Sequence, residues 1–123
     1  MPSGEDTVRA LREAVRLSPG NIPLRTHWAA TLMGLGRFAE AEQAYRDTLA
    51  LAPHDPTLQI GLATAFYQQN KNSHALVIIE ELLKLAATPA GAYLLHARLL
   101  LRAGDTERAV RQQSRASVSV PRW

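Results

Sequence analysis

Four histidines, two close pairs of carboxylates and a stripe of three arginines are the residues of this chain whose types could do chemistry. His27, His54, His74 and His96 could ligate a metal or carry protons. A helical metal pair needs two of them at i, i+4, so that both rings meet one ion. Their spacing scatters them over different helices and loops. Glu40 with Glu42 and Glu80 with Glu81 could share acid–base work if desolvated, but they fall on segments whose outer faces should be solvated. Arg108, Arg111 and Arg115, at i, i+3, i+7, share one helical face and could meet phosphate. Nucleic-acid binding would need a larger basic footprint with stacking aromatics. Trp123 is the only aromatic nearby, so the stripe reads as a solvated face and no nucleic-acid partner is expected.

The chain has no glycine-rich phosphate loop, no G-x-S-x-G and no H-E-x-x-H. It has no cysteine, which removes thiolate ligands and cysteine nucleophiles together. The expectation is a protein that is not an enzyme and has no catalytic residues, no metal site and no cofactor.

The elements carrying these residues repeat. Ala29, Ala63 and Ala97 recur at a period of 34 residues, as do Ala41, Ala75 and Ala109. Leu17, Leu51 and Leu85 form another series, as do Leu32, Phe66 and Leu100, and Pro19, Pro53 and Pro121 keep step with them. Gly36, Asn70 and Gly104 break each period in two. A fixed period of this size signals stacked supersecondary units. Within each unit the apolar spacing is helical.

The spacing predicts a first helix over 22–35, capped by Asn21 and ended by Gly34 and Gly36, with Leu24, Trp28, Leu32 and Leu35 on one stripe. A second helix over 37–51 turns Ala41, Tyr45, Thr48 and Leu49 inward, and Pro53 stops it. Asp55-Pro56 opens the next unit, and Thr88-Pro89 has the same cap-plus-proline form. The last unit breaks at Gly104 and resumes over 106–117, with Gln113 and Ser117 where apolar plugs belong. Residues 5–17 match a lone second helix, with Leu11, Ala14, Val15 and Leu17 in register. Seven helices are expected. His96 takes the slot of Trp28 and Leu62, so it should point inward to a local partner.

Small alanines where two helices cross let them approach closely without voids. The helix over 90–103 is apolar nearly all round, which reads either as a core facing both neighbours or as an exposed patch at Leu94 and Leu101. No apolar run approaches the roughly 20 residues of a membrane helix. The first residues lack the layout of a secretory signal. A cytoplasmic location is expected.

The run Trp28-Ala29, Leu32, Gly36, Ala41, Tyr45, Leu49, Pro53 resembles the tetratricopeptide repeat, and the resemblance extends over about residues 5–121. It departs at the family's early tryptophan, where Arg25, Gln59 and Tyr93 stand. The resemblance implies an all-α, right-handed α-α superhelix in one domain over 1–123. That domain comprises a half repeat at 5–17, repeats at 22–53 and 56–87, and a degenerate last repeat at 90–121. It also implies a protein-binding adaptor or scaffold whose concave groove takes a peptide or partner helix. The groove-facing positions it implies are Thr26, Ala30 and Met33, then Ile60, Thr64, Tyr67 and Gln68, then Leu94, Arg98 and Leu101.

Some relatives grip acidic chaperone tails. The matching positions here are Thr26, Ala30, Gly61, Gly91 and Leu95, none of which can hold a carboxylate. Self-association through the two ends of the array is a further expectation, because neither shows the polar cap such arrays carry. A weaker resemblance links 17–25 and the segment from Phe66 to Val77 with repeats found ahead of bacterial AAA+ ATPase domains. It implies a regulatory or substrate-recruiting module of a larger ATPase system.

Overall fold

Three turns of one construction set the geometry. Gly36, Asn70 and Gly104 take the left-handed backbone, at φ of 77°, 60° and 81°. In each, the next residue's N–H reaches five residues back: Arg37 to Leu32, Lys71 to Phe66 and Asp105 to Leu100, all at 2.9 Å. The left-handed residue bonds three back, to Met33, Tyr67 and Leu101. This Schellman closure satisfies carbonyls that a helix end would orphan. It also reverses the chain the same way each time.

In this computed structural model, which describes residues 3–119, the turns join helices in an unbroken series. These are α1 (Gly4–Leu17), α2 (Ile22–Gly34), α3 (Phe38–Leu49), α4 (Pro56–Gln68), α5 (Asn72–Leu83), α6 (Ala90–Arg102) and α7 (Thr106–Ser119). Ser3 and Asp6 form a reciprocal capping box at α1. Asn21 Oδ1 accepts from the Leu24 N–H at α2, and Asp55 Oδ1 accepts from Thr57 and Leu58 at α4. The expected third device fails. Pro89 is itself the cap residue of α6, and the Thr88 hydroxyl donates backward to the Leu82 and Leu85 carbonyls. The Leu82 carbonyl also accepts from the Leu85 N–H at 3.2 Å, and Leu85 lies just beyond α5, so the hydroxyl is drawn to the end of the preceding helix rather than to α6.

The helix pairs α2/α3, α4/α5 and α6/α7 cross on alanine. Ala29, Ala41, Ala63, Ala75, Ala97 and Ala109 are all buried. Leu32, Leu58 and Ile79 fill the space beside them. One core joins α1 to α4 and the next joins α4 to α6. A smaller cluster of Ala97, Leu100 and Ala109 closes the α6/α7 pair. Between units, volume is conserved across the seam rather than at each position. Tyr45 lies against Gly61, where an added Cβ would fall well inside contact distance of the ring. One period later the corresponding pair is Ile79 and Leu95, both buried in the same core.

Polar contacts pin the seams. Arg37 bonds Glu40 in its own helix and Glu5 in α1 at 3.0 Å. Glu42 takes Gln69 at 2.9 Å and Lys71 at 3.1 Å from the next unit. In the last unit the residue after the left-handed turn is Asp105, which caps α7 by accepting from Arg108 N–H.

The structure adjusts several expectations. Leu35, expected on the apolar stripe of α2, is exposed, Leu17 is exposed like its register mates Leu51 and Leu85, and the buried residue of α1 is Val8. α7 runs continuously through 106–119, with Gln113 and Ser117 outward and Ala109, Gln112 and Ala116 inward. Gln113 and Ser117 are exposed, whereas Tyr45, two periods before Gln113, is buried against α4. Pro121 and Trp123 lie outside the described residues. His96 is buried as its register predicts, paired through Nδ1 with the Gln112 amide. Burial, then the Arg108 charge, holds its imidazole below the ordinary range, opposed by Glu80 and assisted by Arg115.

The seam packing makes Gly61 a sensitive position. Gly61→Ala should destabilise the fold by about 1–3 kcal/mol despite alanine's helix propensity. Joining Tyr45→Ile to Gly61→Leu should recover most of that loss. A Gly61→Ala variant with a higher urea midpoint than wild type would contradict the seam.

The buried histidine makes stability depend on pH. Unfolded His96 takes a proton near pH 6.5, about the usual value, whereas folded His96 resists it. Its contribution is therefore present above that pH and is lost as pH falls. His96→Leu with Gln112→Ile, which copies Leu62 and Ile78, should flatten the drop in urea midpoint between about pH 7.5 and 5.5. An unchanged slope would show that His96 is not its source.

Candidate partner-binding groove

The curvature of the array follows from which helices meet. α2 packs on α4 and α4 on α6, whereas among the described residues the second helices (α1, α3, α5, α7) do not pack against one another. The first helices therefore form the inner row, and the second helices splay on the outside.

The groove positions expected from the sequence all lie on α2, α4 and α6. Ala30, Gln68, Leu94, Arg98 and Leu101 are exposed, while Thr26, Met33, Ile60, Thr64 and Tyr67 are half-buried. The Thr26 and Thr64 hydroxyls donate to carbonyls of their own helices, Ile22 at 2.8 Å and Ile60 at 2.7 Å. Their donors are thus spent before any partner arrives. Ile60 reaches toward Gly91, where its Cδ1 would sit 3.4 Å from a Cβ, at the near edge of ordinary contact.

Tyr67 is covered on one face by the Arg102 guanidinium, 3.4 Å from the ring centroid. Arg102 also donates to the Tyr67 carbonyl at 2.6 Å and to Asn72 Oδ1 at 2.9 Å. It is tied to the seam between units and is not a loose charge at the groove's end. Arg98 has no carboxylate within ion-pair distance among the described residues.

On α6 the two sequence readings divide by residue. Leu95, Leu99 and Leu100 are core, whereas Leu94 is 43% and Leu101 55% exposed, about two turns apart on one face. Two of the positions matched to chaperone-tail binders offer no side chain to a ligand: Leu95 is buried, and a Cβ at Gly61 would run into the Tyr45 ring.

Sequence reasoning missed a second cavity, on the outer side. A cleft of about 500 Å³ lies between α3 and α5, lined by Leu49, Ala50, Pro53, Gln59, Leu62, Val77, Ile78 and Glu81. Its legible signal was Val77, an apolar residue on the charged face of a second helix, 64% exposed. A smaller cleft of about 210 Å³ on α7 is lined by Arg108, Arg111, Gln112 and Arg115. Among the described residues no histidine and carboxylates cluster as a metal site. No helix there is long and apolar enough to cross a membrane.

Solved structures with the same fold include a crystal structure of MamA, at TM-score 0.80 and 16% identity, over 96% of this chain and 69% of that one. A second MamA structure, MSR-1 C2, matches at 0.76 and 16%, over 94% and 67%. A tetratricopeptide repeat protein from Parabacteroides merdae ATCC 43184 matches at 0.57 and 16%, over 96% of this chain and 59% of its own. At these identities the likeness is one of fold. Among curated protein sequences none matches this chain. The family model for the tetratricopeptide repeat matches residues 32–95. With that match over half its length and a fold of stacked helix pairs, the chain belongs to the tetratricopeptide repeat family.

Proposed function

We propose that this protein is a non-catalytic interaction module that holds an apolar peptide or helix of a partner along its inner row. The compartment proposed is the cytoplasm, as the sequence reading expects. The observation that carries the reading is the pair Leu94 and Leu101, large apolar side chains left open on α6 on either side of Arg98. Leaving two leucines about half exposed on one face forgoes roughly 1 kcal/mol each of burial. A partner that covers them recovers it.

The neighbouring residues suit that role. Ala30 leaves room, Met33 and Ile60 supply adaptable apolar surface, and Thr26 and Thr64 present methyl groups once their hydroxyls are bonded back. A helix offering apolar residues at i, i+3 or i+4 and i+7 would fit this spacing, with a carboxylate meeting Arg98. This is protein binding by shape and apolar contact, with one charge setting register.

A photo-reactive residue placed at Leu101 should crosslink the partner from source cytosol, and Arg98→Glu should reduce the yield at least about fivefold, equivalent to roughly 1 kcal/mol. The same residue at Val77 is the outer-side control and should give little product. A product of twice the chain mass would identify the partner as a second copy. Crosslinking through Val77 alone, with none at Leu101, would overturn the inner-row assignment.

A further inference from the structure

The outer side of the array repeats as faithfully as the inner side, but its chemistry changes abruptly. On α5 the wall of the apolar cleft is made by Val77, Ile78 and Glu81, above Leu62 of α4. One period on, the corresponding residues of α7 are Arg111, Gln112 and Arg115, which with Arg108 line a cleft of α7 side chains, and His96 of α6 stands where Leu62 stands. Arg108 stands where His74 stands. At the same repeat positions an apolar wall has thus become a cationic one, with the buried Gln112 at its base bonded to His96 beneath.

That base is built rather than merely solvated. Gln112 and His96 are both buried and bonded to each other. With its amide nitrogen committed to His96 Nδ1, Gln112 turns Oε1 outward to accept from Arg115 Nη1 at 3.2 Å. A buried pair therefore holds one guanidinium in place at the cleft. Replacing Leu62 and Ile78 by such a pair gives up apolar burial, and hydrogen bonds return only part of it.

The charge here is unbalanced. Arg108 is matched by Asp105 at 3.6 Å. Among the described residues, Arg111 and Arg115 have no carboxylate within ion-pair distance, which leaves two positive charges on one small cleft. A phosphoryl group carries about 1.5–2 negative charges near neutral pH, and its oxygens match the planar guanidinium fork.

We propose that the α7 cleft binds a phosphoryl group, held by Arg111 and the Gln112-positioned Arg115, with Arg108 at the edge. A free phosphate compound and a phosphorylated side chain both offer that group, and the chemistry that recognises it is the same. The site lies on the opposite side of the array from Leu94 and Leu101, so it would operate whether or not the inner row is occupied.

The test is an NMR titration of the whole chain, following arginine Nε–H and Gln112 amide signals. The probes are inorganic pyrophosphate, a short phosphoserine peptide and its unphosphorylated twin, against sodium chloride at matched ionic strength. Saturable shifts at Arg111, Arg115 and Gln112 are expected with the phosphorylated probes only. Tighter binding of the peptide would point to a modified protein as the source, and tighter binding of pyrophosphate to a free compound. Arg111→Gln and Arg115→Gln should each weaken binding about tenfold, the scale of one charge-assisted contact. Arg98→Gln, on the other side, should leave it unchanged. The proposal is overturned if the shifts track ionic strength without saturating, or if all three variants bind alike.

Discussion

Close approach of helices over alanine governs the rest of this architecture. Six buried alanines, two per pair, sit where the helices of α2/α3, α4/α5 and α6/α7 cross. A larger side chain there would hold the helices apart and open voids that cost packing energy. Because the crossing is fixed, the left-handed turn at Gly36, Asn70 or Gly104 can deliver the chain to the same place each time. Variation is then pushed outward to the seams. There a tyrosine against a glycine in one unit gives way to isoleucine against leucine in the next.

The same crossings separate two surfaces. The inner row can be nearly neutral because its helices already bury their other faces, leaving only short apolar outcrops. The outer grooves are wider, since the second helices do not meet one another among the described residues. Leu62 lines the apolar cleft, whereas at the equivalent place His96 is buried under Gln112, and the cleft on α7 is walled by arginines.

How much of this was legible in the sequence differs by level. The helices, the breaks and the crossing alanines were readable because backbone conformation and close packing leave few residue choices. The burial of His96 was readable from its register alone. Its partner was not, because Gln112 and Gln113 are adjacent glutamines, and residue type alone does not say which turns inward. Thr88 misled for a related reason. A threonine before a proline reads as a cap, but the Leu82 and Leu85 carbonyls lie within reach of its hydroxyl. Exposure on α6 was ambiguous in sequence because six of its residues are buried and the leftover leucines look the same on paper. The apolar cleft depends on side chains from three helices at once, and a period names the positions without showing the gap between them.

If the inner row is where a partner lies, the open leucines of α6 must be in contact with it. Methyl-detected cross-saturation from a bound partner addresses this without intermediaries, since it reports proximity rather than stability. Loss of intensity is expected at Met33, Ile60, Leu94 and Leu101, with Leu49, Leu62 and Val77 unaffected. Attenuation confined to Leu49, Leu62 and Val77 would place the partner in the outer cleft and refute the inner-row assignment.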